Sequence, residues 1–250
     1  MSLPALLIIA LAALGVYSIA MSRVSDQVPA ALQRLYLVSF VVGLLAALAI
    51  FIPSPDLFGP DHRFTVSMAQ FLLAVDVGPL LLFGGIPAGM LQPLLQRGWL
   101  QRLIRPQVTG PVSVVVLLGW FIPVFFEAAS GNLALWILKQ ALFLIAGLLF
   151  WWPVDGPLLQ PRPTYSVQLV YLFAMRLPMT ALGVLITFSS KFIYSSRSIS
   201  LEICAPSSLA DQQAGGLVMW TVGGLVLFSA FAIIFYHLLK ERDASQSKEF

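Results

Sequence analysis

The chain has 250 residues, 59% of them hydrophobic and 10% charged, with a mean hydropathy of +0.90; an ordinary soluble domain carries about 25% charged residues. That composition excludes a soluble fold and suits a bilayer. The net charge of +3 comes from 14 basic residues scattered among apolar runs, which gives nucleic acid no continuous basic face and leaves the charges to act as topology signals.

A helix needs roughly 20 apolar residues to cross a hydrocarbon core of about 30 Å. Runs of that kind lie at about 3–21, 35–54, 65–84, 111–129, 132–152, 165–189 and 213–239, separated by Pro, Gly or charged residues. Helices are the element that satisfies its own backbone in lipid, so the sequence predicts an all-α, seven-helix transmembrane bundle forming one domain over residues 1–250. The first run has no basic residue ahead of it and reads as a span rather than a secretory leader.

Loop charge sets the orientation. Arg23, Arg34, Arg97, Arg102, Arg105, Arg162, Lys240, Arg242 and Lys248 fall on one side, and Arg63, Lys191 and Arg197 on the other. The richer side is expected to be cytoplasmic, which puts the N-terminus outside and the C-terminus inside. Between the third and fourth spans, residues 92–105 alternate apolar positions with Arg97, Arg102 and Arg105, the pattern of an interfacial helix whose basic face meets anionic headgroups.

Charges inside spans are costly and mark either a structural partner or a path. Asp76 and Arg176 both fall near mid-depth of their spans, so an intramembrane pair is expected, serving as a clamp between helices or as a proton or ligand site. Glu127 and Lys139 flank the Ser130-Gly131 turn and are expected to pair on the outer side, with Lys139 snorkelling outward. Asp211, Gln212 and Gln213 open the last span, where a carboxylate caps free N–H groups and the two glutamines are candidates for docking a partner.

Four stretches carry a resemblance: Gly78-Pro-Leu-Leu-Leu-Phe-Gly-Gly-Ile-Pro87; residues 142–157 with Phe150-Trp-Trp-Pro153; residues 171–179 followed by Leu185-Ile-Thr-Phe188; and residues 209–220 with Asp211-Gln-Gln213. In order and spacing they resemble the CtaG-type family of cytochrome c oxidase assembly factors, seven-span proteins of the bacterial cytoplasmic membrane associated with copper delivery to haem-copper oxidases. The resemblance implies a non-enzymatic accessory role, with oxidase subunits as partners.

It also implies histidines at four positions, which here are Ser67, Phe71, Phe121 and Gln140. Phe has no donor atom, and Ser and Gln are weak, hard donors for copper. His62 and His237, the two histidines of the chain, are expected on opposite sides of the membrane. Copper is thus left with soft candidates, Met68, Met175, Met179 and Met219 as thioethers and the single cysteine, Cys204, as a thiol. The weight moves from copper chaperone to bound scaffold, for which Gly215, Gly216, Gly223 and Gly224 offer a close-packing surface. The alternative is a small transporter or channel with a polar path through Asp76 and Arg176.

Overall fold

The computed structural model describes residues 3–53, 60–87, 89–91, 98–157, 162–194 and 203–246. All regular structure among them is helical: α1 (Leu3–Ser22), α2 (Ala30–Ala49), α3 (Arg63–Gly84), α4 (Gly98–Leu103), α5 (Pro106–Trp120), α6 (Pro123–Gly131), α7 (Leu133–Asp155), α8 (Tyr165–Phe188) and α9 (Leu209–Gln246). Six of these are long and apolar enough to cross a membrane, and α5 with α6, which meet at a 66° bend, bring the number to seven if the pair is counted as one broken span. The chain is therefore a helical membrane protein.

α3 is the hub. In its most apolar stretch 61% of residues are buried, against 11% in α1 and α2, so α3 is surrounded by protein while α1 and α2 turn apolar faces outward. Ile8, Leu11 and Val16 of α1 are all more than 60% exposed. α1 is tied to the bundle where Tyr17 stacks on Phe40, with ring centroids 4.1 Å apart, and donates to Gly85 O at 3.0 Å.

The predicted fourth span is broken by its own sequence. Pro123 has no N–H to continue the helix and its ring clashes with the preceding turn, so the chain leaves α5 at Phe121 and restarts as α6. The Phe121 carbonyl at this break accepts from the Tyr194 hydroxyl at 3.0 Å. Burial pushes that phenol above its ordinary range, which keeps it a donor. Asn132 closes the next turn by accepting from the N–H groups of Ala134 and Leu135, at 2.9 and 3.2 Å, the preferred N-cap arrangement.

A second irregularity lies in the middle of α3. Residues Leu73–Val77 form a π-helical turn, and such turns interrupt helices where side chains must be re-aimed. Pro79 cannot return an N–H to Val75 O, four residues back, and the indole of Trp151 on α7 donates to that carbonyl at 3.0 Å. Gly147, one helical turn before Trp151, lets α7 lie directly on this turn: a Cβ at Gly147 would come within 2.6 Å of Ala74 O.

The glycines of α9 are largely used inside the chain rather than offered to a partner. Gly215 faces Phe64 and Met68, Gly216 faces Thr187, and Gly223 faces the Arg176 guanidinium; only Gly224 has open space beside it. The interfacial helix expected over 92–105 lies partly outside the described residues. Arg97 is among those outside, as is the side chain of Arg102; Gly98–Leu103 is helical and Arg105 is the extended residue that precedes α5.

Candidate functional site

The mid-depth charges meet. Arg176 of α8 donates through Nη1 to Asp76 Oδ1 at 2.7 Å and through Nη2 to Oδ2 at 2.6 Å, a bidentate pair. Asp76 is wholly buried and Arg176 is 5% exposed. The π turn aims the carboxylate, and the Trp151 indole lies 3.4 Å from Oδ1. Gly223 of α9 completes the site, since the guanidinium occupies the volume a Cβ would take there. Four helices, α3, α7, α8 and α9, converge on one ion pair. In a low-dielectric interior such a pair holds only with good geometry and further hydrogen bonds, and both are supplied.

The four positions where the resemblance implies histidines also lie close together, toward the α6 side. Phe71 packs edge-on to Phe121 and to Phe143, with centroids 5.3 and 5.1 Å apart, and Phe121 stacks on Phe143 at 5.9 Å and on Phe126 at 6.1 Å. Gln140, one turn before Phe143, donates to Ile50 O at 2.6 Å, and Gln70 donates to Ile52 O at 2.6 Å. These amides hold the end of α2 in place. Ser67 is buried one turn before Phe71. A copper ion does not fit this centre: interlocked rings fill it, and Gln140, a weak, hard ligand, is held to backbone through its amide nitrogen.

The soft donors are no better placed. Met68, Met179 and Met219 are packed in the same apolar core as the phenylalanines, whereas Met175 belongs to a separate core with Phe150 and Tyr171. Among the described residues no group of three His, Cys, Asp or Glu side chains is placed to hold a metal. His62 is exposed just before α3, whose first turn adjoins the start of α9, while His237 lies 28 residues along α9, about 42 Å away at 1.5 Å per residue.

Lys139 does not snorkel outward. It is wholly buried, and its Nζ donates to Cys204 Sγ at 3.1 Å and lies 4.7 Å from the Phe126 ring centroid. Ser130 Oγ is 3.0 Å from the same sulfur, and Ile203 N donates to Ser130 O at 3.1 Å. In place of outward snorkelling, Lys139 forms an inward anchor that fastens the loop before α9 to the α6–α7 turn. The sulfur and ring faces are weakly hydrated partners that a desolvated ammonium accepts.

Asp211 caps a helix, but not its own. Its carboxylate accepts from the backbone N–H groups of Phe64 and Thr65 in the first turn of α3, both at 3.0 Å, from the Thr65 hydroxyl at 2.7 Å, and from Ser207 N at 3.0 Å. The cap of α9 is Ser208, whose Oγ accepts from Asp211 N at 3.0 Å. Gln212 is wholly buried: its Oε1 accepts from Ile193 N at 2.8 Å and its Nε2 donates to Lys191 O at 3.1 Å. Gln213 donates to Ser189 O at 2.9 Å. The two glutamines therefore clasp the segment that follows α8, Gln212 from a wholly buried position.

Comparison with curated proteins and with solved structures gives no match. A family model does match, over residues 15–241, most of the chain. The chain belongs to the family of cytochrome c oxidase caa3 assembly factors (Caa3_CtaG).

Proposed function

We propose that this chain is a non-catalytic accessory protein of a haem-copper oxidase that works as a helical scaffold and does not carry copper. Membership of the assembly-factor family supports the association with an oxidase. The observation that carries the finer reading is the contact of Phe71, Phe121 and Phe143, where the resemblance implies a histidine cluster. A chaperone needs ligands that bind and release metal; a scaffold needs a rigid body and apolar faces. Rigidity is supplied by the Asp76–Arg176 pair and the Asp211 cap, and the outward faces of α1 and α2 remain for lipid or for another subunit's helices. Loop charge supports a topology with the end of α9 on the cytoplasmic side.

The transporter alternative finds no comparable support, because the carboxylate and guanidinium that would line its path are engaged with each other on both oxygens.

A competition titration of the purified protein with a Cu(I) chelator tests the scaffold reading against the chaperone reading. The expected result is no stoichiometric Cu(I) binding. Tight one-to-one binding that disappears in the Met175→Ala and Met179→Ala variants would overturn it.

A further inference from the structure

A cavity of about 1060 Å³ opens between the last turn of α7, the first turn of α8 and the C-terminal half of α9. It shares Trp151 with the ion-pair site and no residue with the core around Phe71, Phe121 and Phe143. Ligand pockets typically run about 300–1,000 Å³, so this one is too large for an ion or an isolated headgroup.

Its lining is sorted along the axis of α9. Leu225, Val226, Ala230, Ile233 and Ile234 of α9 form an apolar wall, and Asp155, Arg162, Tyr165, His237 and Glu241 gather at the other end. From Leu225 to Glu241 is about 24 Å at 1.5 Å per residue. The apolar end begins two residues beyond Gly223, the glycine against Arg176, and so at the depth of the mid-membrane pair. The polar end lies where α7 stops and α8 starts. The cavity therefore spans one leaflet, apolar toward the bilayer centre and charged toward the surface, the same polarity gradient as a phospholipid of that leaflet.

The charges narrow the headgroup. Arg162, whose Nη2 donates to Gly156 O at 3.2 Å, and His237, stacked on Tyr165 with centroids 5.8 Å apart, are the groups suited to a phosphate. Asp155 and Glu241 line the same end and are suited to an amine. A purely anionic headgroup would place its charge beside two carboxylates. A quaternary ammonium has no N–H to donate to them, and charge-assisted hydrogen bonds are the strong ones. We infer that this cavity binds one phospholipid with a phosphoethanolamine headgroup, its phosphate on Arg162 and His237, its ammonium on Asp155 and Glu241, and an acyl chain along the α9 wall. This inference does not depend on the oxidase reading.

Native mass spectrometry of the full chain in detergent micelles tests it, with added phosphatidylethanolamine, phosphatidylcholine and phosphatidylglycerol of matched acyl chains. The expected result is a one-to-one phosphatidylethanolamine adduct retained about tenfold better than the other two, equivalent to a tenfold ratio of dissociation constants. Arg162→Gln should reduce the retention of all three lipids. Asp155→Asn should lower phosphatidylethanolamine to the phosphatidylcholine level. Ala230→Trp, which fills the tail slot without altering charge, should abolish the adduct while leaving thermal unfolding cooperative. Equal retention of the three lipids by the wild-type chain would overturn the inference, and so would an adduct unchanged by Ala230→Trp. Recovery of a prenylated quinone or another phosphate-free amphiphile in place of the phospholipid would overturn it as well.

Discussion

Trp151 donates its indole N–H to Val75 O at 3.0 Å, the carbonyl that Pro79 cannot serve four residues later. The tryptophan of the Phe150–Pro153 stretch thus compensates for the proline of the Gly78–Pro87 stretch, and the same indole lies 3.4 Å from Asp76 Oδ1. Its neighbour Trp152 is different: the Trp152 indole nitrogen is buried without a hydrogen-bond partner, and its ring packs edge-on to Phe83 at 5.3 Å. Trp151→Phe should therefore cost about 1–3 kcal/mol, the range for leaving a buried group unsatisfied. Trp152→Phe gives up no hydrogen bond and should cost less. Thermal unfolding midpoints of the two variants in the same detergent provide the comparison.

Removing one member of the Asp76–Arg176 pair strands the other in a dry interior. Asp76→Leu or Arg176→Met alone should destabilise the protein by about 3–5 kcal/mol, whereas the double replacement with apolar residues should recover most of that loss. A double-mutant cycle on unfolding in detergent measures the recovery. If the pair is purely a clamp, the double variant keeps its ability to support oxidase assembly; loss of assembly in a stable double variant would show that the charges themselves have a task.

Gly223→Ala tests the same site from α9. The added methyl would occupy the seat of the Arg176 guanidinium, so the bidentate geometry should be lost while the charges remain. Gly224→Ala, one residue on with open space beside it, should be neutral or slightly stabilising, since Ala is favoured over Gly by about 1 kcal/mol in a helix interior. The unfolding midpoint of Gly223→Ala should fall well below that of Gly224→Ala.

Much of this fold is legible in the sequence because lipid makes the rule simple: an apolar run of sufficient length becomes a helix. The spans at 65–84, 132–152 and 165–189 lie within or close to α3, α7 and α8. The mid-depth charges are legible for a related reason, since two isolated opposite charges at similar depth have few other ways to satisfy themselves. What the sequence hides are partners distant along the chain. The break at Phe121 follows from Pro123, but the capture of the freed carbonyl by Tyr194, 73 residues on, does not. Lys139 lies near a surface turn in sequence and suggests a side chain that snorkels outward, yet its nitrogen is buried against a sulfur 65 residues away. Asp211 has the position of a cap for the helix it opens, and local spacing gives no sign that its carboxylate crosses to the first turn of α3. Ser208, three residues before Asp211, supplies the local cap, and a Ser-x-x-Asp spacing reads as a capping box within one helix, which is why the cross-helix role is hidden.

The Asp211 cap leads to a prediction of its own. Asp211→Ala removes an acceptor shared by two backbone N–H groups of α3, a hydroxyl and Ser207 N, and should cost about 2–3 kcal/mol, at the upper end for caps and for hydrogen bonds to charged groups. Asp211→Asn keeps an oxygen in place and should cost less. The two should rank in that order in both unfolding midpoint and amide-exchange protection of Phe64 and Thr65.

The oxidase association is tested most directly by tagging this chain, solubilising the membrane in mild detergent and identifying the proteins that co-purify. The account predicts that oxidase subunits come down with the wild-type chain, and that they still do so when Met175 and Met179 are replaced by Ala. Recovery of the chain alone, together with normal oxidase activity in a strain lacking it, would contradict the account.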